Sequence, residues 1–516
     1  MSPSPRTIDR RQLRLGLAVV AVVALAVLWS LRPWLHGVVY FLYTTPVILP
    51  GLVVAVAVAA GVYRLGDQVT ASAALTVLVL LLVASVALAG LFASERLGKQ
   101  TLADAEQGTG LAESDAENPR IVTRSVAQRY ASNTLNFPQY RVTNSDITVY
   151  NGTLYWSYAL SPDGLWNHLT KRQHGTVLVD MTRQNTRVET VTGDLRAGMG
   201  TVFYNNHRWR TLKHGPYLVD YQDSFMVVHE GEQYIATPYT RPNFHVLPLP
   251  HTTPEWGGVV LVDSDGNVED LSPEQARNHE VLTDQRLYPF ALTRERVSAT
   301  RYRNGIINTY TSHEGEIEVA PVPGEGNDQP FLIHTESGPQ YVVAVEPYGE
   351  AQGLREVWTV DARTGVFERF APNESLFGPR KATDYVRQAA RTTDWDRFTP
   401  SEPIPVVVDG QLYWEVRVVP TDNSGVSYVA FVNARSSDVT EVESTGAVRA
   451  FMRGDRPAGD GGDGSGAIER PSLIVQRVAP NGTVLETLEV YGNESVQIVQ
   501  GNESATASSN NATATP

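Results

Sequence analysis

Three uncharged apolar runs fill most of the first hundred residues, and they restrict the chain more than any other feature. Residues 15–31 (LGLAVVAVVALAVLWSL) carry no charge, residues 33–63 carry none apart from neutral His36, and residues 68–94 carry none. A helix crosses a hydrocarbon core with ~20 apolar residues. One such run is explained by a buried core helix, but three in succession point to a bilayer. The sequence therefore predicts three transmembrane helices, at about 13–32, 38–62 and 70–93. A cleaved signal peptide also combines basic residues with an apolar stretch. However, no small-residue cleavage site follows in "LWSLRPWLHG", and two more runs come after it. Arg6, Arg10, Arg11 and Arg14 precede the first run, which places the N-terminus in the cytoplasm and the first helix in the plasma membrane. Three crossings put everything after about Ser94 outside the cell. Pro46, Pro50 and Gly51 interrupt the second run, and a re-entrant second run would invert that topology.

The exterior assignment has its own support. Asn-x-Ser/Thr acceptors stand at Asn151, Asn373, Asn481, Asn493, Asn502 and Asn511, clustered toward the C-terminus, as N-glycosylation outside the cell would favour. There is no cysteine, so stability must come from packed cores rather than disulfides. Only Lys99, Lys171, Lys213 and Lys381 are lysines, while the net charge is -14. Residues 1–94 hold six basic and two acidic residues, so the exterior part is more acidic still. Scarce lysine with abundant Asp, Glu and Thr is similar to haloarchaeal proteins, which stay soluble in concentrated salt. A GC-rich genome also favours Arg over Lys, but it leaves the acid excess unexplained. Nucleic acid and anionic lipid are poor partners for such a surface.

Beyond the third run, residues 95–120 are polar and short of large apolar side chains, which reads as a linker. From Ile121 the texture changes to short Val-, Tyr-, Thr- and Phe-rich runs bounded by Gly, Asn, Asp and Pro, the pattern of antiparallel hairpins. One hexapeptide is almost written twice, "NGTLYW" at 151–156 and "DGQLYW" at 409–414, with weaker copies "EGEQYI" at 230–235 and "SGPQYV" at 337–342. Aligned on the glycine, these copies place Tyr155, Tyr234, Tyr341 and Tyr413 in register. Each tyrosine is followed by Asp180, Asp263, Asp361 or Asn433, at spacings of 25, 29, 20 and 20 residues. Helical periodicity appears in "SVAQRYASNTL" (125–135) and "KATDYVRQAARTTDW" (381–395), and Ser272 is a third helix N-cap. The fold class that follows is membrane-anchored α+β: three N-terminal transmembrane helices and a tandem array of about four antiparallel-sheet-plus-helix units. The units span 121–200, 201–272, 273–372 (with a preceding helix) and 373–452. A Gly/Asp linker at 453–470, a hairpin at 471–500 and a disordered tail at 501–516 complete the chain. Because neighbouring repeats share interfaces, one elongated body is expected.

The helix-then-strands pattern closing on "VDARTGVFERF" (360–370) resembles PepSY-type domains, which end on a similar Val-Asp-x-x-Thr-Gly-x-Val stretch. The resemblance implies an exported or membrane-attached protein that binds or restrains other proteins, and it carries no active site across. Other signs of chemistry are sparse. Seven histidines lie between His168 and His251, without the short fixed spacings of a zinc site. His168 and His174 are the first pair to inspect. In "DSDGNVED" (263–270), Asp263 and Asp265 alternate before a glycine as in a calcium loop, but the later bidentate Glu is missing, and a β-turn explains the same residues. Trp156, Trp166, Trp358, Trp395 and Trp414 suit either a glycan-stacking face or the core. No nucleophile elbow, phosphate loop or dinucleotide fingerprint is present. The expectation is a non-enzymatic surface interaction protein, N-glycosylated and salt-adapted, without cofactor and with a protein partner at the cell surface. An accessory subunit of a transport, secretion or virus-like assembly, or an exported metal-dependent hydrolase, are the alternatives.

Overall fold

The computed structural model describes residues 10–455, apart from 67, 109, 324–327, 336, 350–352, 373 and 391, together with two strands near the C-terminus. Those strands, Leu473–Val478 and Val484–Val490, pair antiparallel and belong to a second compact unit that begins at Arg456. The 501–516 tail and nearly all of the 453–470 linker lie outside the described residues, as do Asn373, Asn481, Asn493, Asn502 and Asn511.

Three helices open the chain: α1 (Arg10–Thr44), α2 (Ile48–Leu65) and α3 (Gln68–Asp104). Two of them, rather than three, are long and apolar enough to cross a membrane, over Ala18–Thr44 and Ser72–Asp104; α2 offers a shorter apolar stretch, Ile48–Arg64. At 1.5 Å per residue α2 is roughly 27 Å long. Pro46 lacks the N–H that would continue α1, so the helix breaks at residues 45–47, and Pro50 falls in the first turn of α2, where no intrahelical donor is needed. α2 then returns along α3, and Gly51 leaves the space that Leu82 fills.

α3 does not stop at the expected 93. Its C-terminal turns are buried in the body, with Leu97 at 4% and Thr101 at 0% exposure. A Cβ placed on Gly98 would meet the Ala299 carbonyl oxygen at 2.1 Å, so helix and body touch backbone to backbone. Segment 95–120 is therefore packed and not a free linker. Arg296 reaches Asp104 at 2.6 Å, Glu106–Gln107 pairs in parallel with Glu368–Arg369, and the Ser114 and Asp115 amides donate to the Val407 and His334 carbonyls. Its polar composition concealed this, because backbone hydrogen bonds and small side chains hold it and hydropathy reports neither.

The body contains four antiparallel meanders. The first runs through Tyr140–Tyr150, Thr153–Pro162, Gln173–Asp180 and Val188–Leu195. The second uses Phe225–His229, Glu232–His245, His251–Val262 and Val268–Leu271; the third uses Phe331–Thr335, Gly338–Pro347, Glu356–Asp361 and Phe367–Phe370. The fourth uses Phe398–Val408, Gln411–Pro420, Tyr428–Asn433 and Val439–Val442. Each is preceded by a helix: Arg124–Asn133, His207–His214, Phe290–Ala299 and Pro379–Ala389. The helix expected before the third meander is thus replaced. Ser272 does cap a helix, with a capping box to Gln275, but that helix is the short Pro273–Asn278 trailing the second meander.

In the first, second and fourth meanders the opening hairpin turns on two residues of positive φ: Asn151–Gly152, Glu230–Gly231 and Asp409–Gly410. Such φ pairs belong to the tight turn whose twist matches that of the strands, and glycine adopts the second position without strain. In the third meander Thr335 pairs with Gly338, so the turn lies one residue earlier than the glycine alignment places it. Gln340, not Tyr341, is then the counterpart of Tyr155, and it pairs with Asp361 as Tyr155 pairs with Asp180.

Central strands are covered on both faces. In the first meander Trp156, Tyr158 and Leu160 pack on Val126, Ala127 and Ala131 of its own helix, while Ala159 joins the second meander's Ile235 and Val260. In the fourth, Trp414, Val416 and Val418 pack on Ala382 and Val386, and Tyr413 and Phe431 pack on Phe451 of the trailing helix Thr445–Met452. Each fully buried aliphatic or aromatic side chain of this kind contributes about 1.5–3 kcal/mol. First and last meanders also touch: the Arg124 amide donates to Glu402 at 2.8 Å, Tyr130 Oη to the Ser424 carbonyl, and the Gln184 amide to Thr445 Oγ1. The array closes on itself instead of extending, because its ends carry complementary groups.

Gly98→Ala should lower the unfolding midpoint in detergent, costing about 1–3 kcal/mol by overpacking. Gly90→Ala, on the same helix with nothing within 4 Å of its Cβ position, should leave the midpoint unchanged or raise it.

Candidate functional site

Polar and charged side chains converge most densely where the first, third and fourth meanders meet. Arg120, just before the first helix, is 6% exposed; Glu402 is 3% exposed and Arg417 and Glu415 are fully buried. Arg120 lies 3.7 Å from Glu402, and Arg417 lies 3.2 Å from Glu415. Arg120 also donates to the Leu332 carbonyl and stacks its guanidinium 5.3 Å from the Trp156 ring centroid. Arg417 donates to the carbonyls of Glu402, Glu415 and Arg120. Nearby, Arg286 pairs with Asp146 and lies over the Phe225 ring at 4.4 Å. A small cavity beside this cluster is lined by Arg120, Thr148, Gln285, Arg286 and His334.

Burial pushes both Glu402 and Glu415 above the usual carboxylate range, while Arg120 and Arg417 pull them back. Burial also brings the Arg120 guanidinium down to about 10. Perturbed groups of this kind often mark catalytic sites. Here the charges pair with one another and with backbone carbonyls, while both Glu415 carboxylate oxygens and Arg417 Nε are buried without a hydrogen bond among the described residues. No member is exposed to meet a substrate, so the cluster locks elements together.

The histidines do not converge. His168 Nδ1 bonds the Gly200 carbonyl at 2.9 Å, whereas His174 Nδ1 meets Asp194 at 2.8 Å and stacks on Tyr140. His207 is buried between the Gly198 carbonyl and Ser224 Oγ, and burial lowers its pKa to about 4. His245 and His251 face each other across a hairpin and bond Thr253 Oγ1 and the Leu249 carbonyl. Asp263 spends both carboxylate oxygens on Asn267, while Asp265 is exposed. Among the described residues no group of three or more His, Asp or Glu side chains is placed to hold a metal ion.

Asp263 instead belongs to a recurring turn. Asp180, Asp361 and Asn433 likewise accept from backbone amides just beyond them: Thr182, then Arg363 and Thr364, then Arg435 and Ser436. A second recurrence was not expected. Trp156 Nε1 donates to the Val122 carbonyl, Tyr341 Oη to that of Tyr288, and Trp414 Nε1 to that of Phe377. Each acceptor lies just before the helix that precedes its meander. The residue after the aligned tyrosine, aromatic in "LYW" twice, was the available signal. Trp156, Trp358 and Trp414 are thus core residues, Trp395 is partly buried against the core, and Trp166 is exposed. Asn151 is exposed at its turn.

No protein-family model matches the chain, and no curated protein does. A solved structure from Bacteroides thetaiotaomicron VPI-5482, with a provisional glycosidase assignment, aligns over 64% of this chain and 82% of its own at 10% identity. The TM-score is 0.18, too low to carry any argument about fold or activity.

Two outcomes are expected. Glu402→Ala leaves Arg120 buried without its carboxylate and should cost about 3–5 kcal/mol in denaturant unfolding. His207 takes a proton in the unfolded chain near pH 6.5 but only near about 4 when folded. Its neutral form is therefore favoured by folding, so stability is complete above pH 6.5 and falls as the pH drops toward 4, by up to roughly 3 kcal/mol. His207→Gln should flatten that slope in unfolding midpoints measured from pH 4 to 8.

Proposed function

We propose that the chain is a membrane-anchored, non-enzymatic interaction protein that displays a closed body of four related sheet-and-helix units outside the plasma membrane. The observation that carries this reading is α3 itself. One unbroken helix is apolar and exposed in its first half and buried in the body at Leu97 and Thr101, so body and anchor are rigidly joined. Three crossings with a cytoplasmic N-terminus are supported by the helix ends. Residues late in α1 contact the body, with the Tyr217 hydroxyl donating to the Arg32 carbonyl and Thr252 to that of Thr44. The end of α3 contacts the same body, so α2 has to bring the chain back between them.

Duplication of one folding unit is supported by the recurring Asp/Asn turn and the aromatic-to-carbonyl bond, and the likeness to PepSY-type domains rests on the same helix-then-meander order. A binding role fits the way the polar residues are used, since histidines, aspartates and buried ion pairs serve turns and interfaces. Exposed Asn151 is suited to carry a glycan, and the acid excess suits a concentrated-salt exterior.

Because the chain has no cysteine, single cysteines report topology cleanly. Ser436→Cys should react with a membrane-impermeant maleimide on intact cells, and Thr7→Cys only after permeabilisation; the opposite pattern would overturn the orientation. A photocrosslinker at Thr190, on the outer strand of the first meander, should capture one defined protein on cells. Stoichiometric zinc with hydrolytic activity in the purified chain would overturn the non-enzymatic reading.

A further inference from the structure

The second meander departs from the others in one hairpin. Its two central strands, Glu232–His245 and His251–Val262, have 14 and 12 residues, whereas the flanking strands Phe225–His229 and Val268–Leu271 have 5 and 4. The distal half therefore projects beyond the sheet, and pairing persists to His245 and His251 at its end. A solvent-facing tip is ordinarily polar. This one carries Val246 and Leu247, 75% and 76% exposed, beside Phe244 at 45%.

What surrounds the tip fixes its level. Phe244 packs edge-on against Tyr43 with ring centroids 5.0 Å apart, and Thr252 Oγ1 donates to the Thr44 carbonyl at 2.8 Å. Tyr43 and Thr44 are the last residues of α1, and the apolar helix α2 begins at Ile48. α3 packs against the strand His251–Val262 as it leaves its own apolar segment. The tip thus stands where three apolar helices begin or end. A second exposed patch lies along α1: Phe203 and Tyr204 are 45% and 65% exposed, and the Phe203 ring rests 6.1 Å from that of Trp34. Arg32 stacks 4.4 Å from the Tyr217 ring centroid, and Lys213 donates to the Trp29 carbonyl. Aromatic rings interleaved with cations on apolar stems are the composition of a membrane–water interface.

We infer that the Val246–Leu247 tip inserts into the lipid bilayer that holds the helices, at the boundary between headgroups and acyl chains. The occupant is lipid because the tip is continuous with the helix ends that enter it. Insertion is driven by apolar area, so it does not call for anionic lipid and is compatible with an acidic body. This inference rests on the membrane-anchored reading.

The test uses the full chain in phosphatidylcholine nanodiscs with one environment-sensitive fluorophore on Leu247→Cys, Ser436→Cys or Val53→Cys. The Leu247 label should be blue-shifted, quenched several-fold by lipid carrying a shallow spin label, and shielded from aqueous iodide. The Ser436 label should behave as in water, and the Val53 label, on α2, should be quenched by a deep spin label. A Leu247 label as open to iodide as the Ser436 label, while Val53 remains lipid-quenched, overturns the inference and spares the anchor. Shielding of Leu247 that appears only with two copies per disc assigns the tip to self-association and overturns it too. A Val53 label open to iodide overturns the anchor reading itself.

Discussion

Three consecutive residues, Arg120, Ile121 and Val122, hold the body closed, and most of its other contacts depend on their position. Arg120 spans from the third meander, through the Leu332 carbonyl, to the fourth, through Glu402. Ile121 lies in the fourth meander's outer core with Val406 and Phe451, and Val122 lies in the core shared by the first, second and third. The amides of Ile121 and Val122 both reach the Met181 carbonyl, and Val122 in turn accepts from Trp156. A buried ion pair contributes little net stability over an apolar pair of the same size, because desolvation offsets the attraction. Its effect here is geometric. A misplaced Arg120 leaves Glu402 buried without its guanidinium and withdraws the Arg120 carbonyl from Arg417, so one docking of the first unit against the last is strongly preferred.

The same strap is rewritten in each unit. The residue after the turn Asp or Asn offers its carbonyl to the segment before the helix: Met181 to Ile121 and Val122, Ala362 to Leu287 and Tyr288, Ala434 to Phe377, and Ser264 to Arg196. Its amide points the other way, to Leu154, Pro339 or Leu412 on the neighbouring strand. The Asp/Asn turn thus sets the end of the third strand, and that end sets where the helix starts. An aromatic hydrogen on the next face fixes the helix's distance from the sheet. The strap holds helix against sheet, which gives each unit a surface on which the next can pack.

Turns and strand texture were legible in the sequence because they depend on local chemistry: Asn151–Gly152 and Asp409–Gly410 announce their hairpins, and Ser272 announces its helix. The third unit misleads for an equally local reason. A turn at Ser337–Gly338 would make Pro339 the first residue of the returning strand, where an amide must donate back across the turn, and proline has none. Moving the turn back one residue gives that role to Gly338 and lets Pro339 pair with His334 without donating. Aligning on glycine conceals this, while aligning on the missing amide reveals it. The packing of 95–120 and the ring closure at Arg120 were not legible. They depend on partners nearly two hundred to three hundred residues away, such as Asp104 with Arg296 or Arg120 with Arg417, and no local period records them.

The second unit gives the clearest link between this architecture and α1. At the position where the others place Trp156, Tyr341 or Trp414 it has Ile235, which has no hydrogen to donate to the strap. Its helix, His207–His214, still packs on its own sheet, with Leu212 in the core beside Ile235 and Val260. It also lies beside α1, where Trp209 meets Trp34 with ring centroids 5.5 Å apart and Lys213 meets Trp29. Its central hairpin is the one that lengthens toward Tyr43 and Thr44. The two departures coincide with the contacts to the apolar helices. The body is thus joined to the apolar helices twice, to α1 through the second unit and to α3 through the third unit's helix, where Gly98 meets Ala299 and Asp104 meets Arg296.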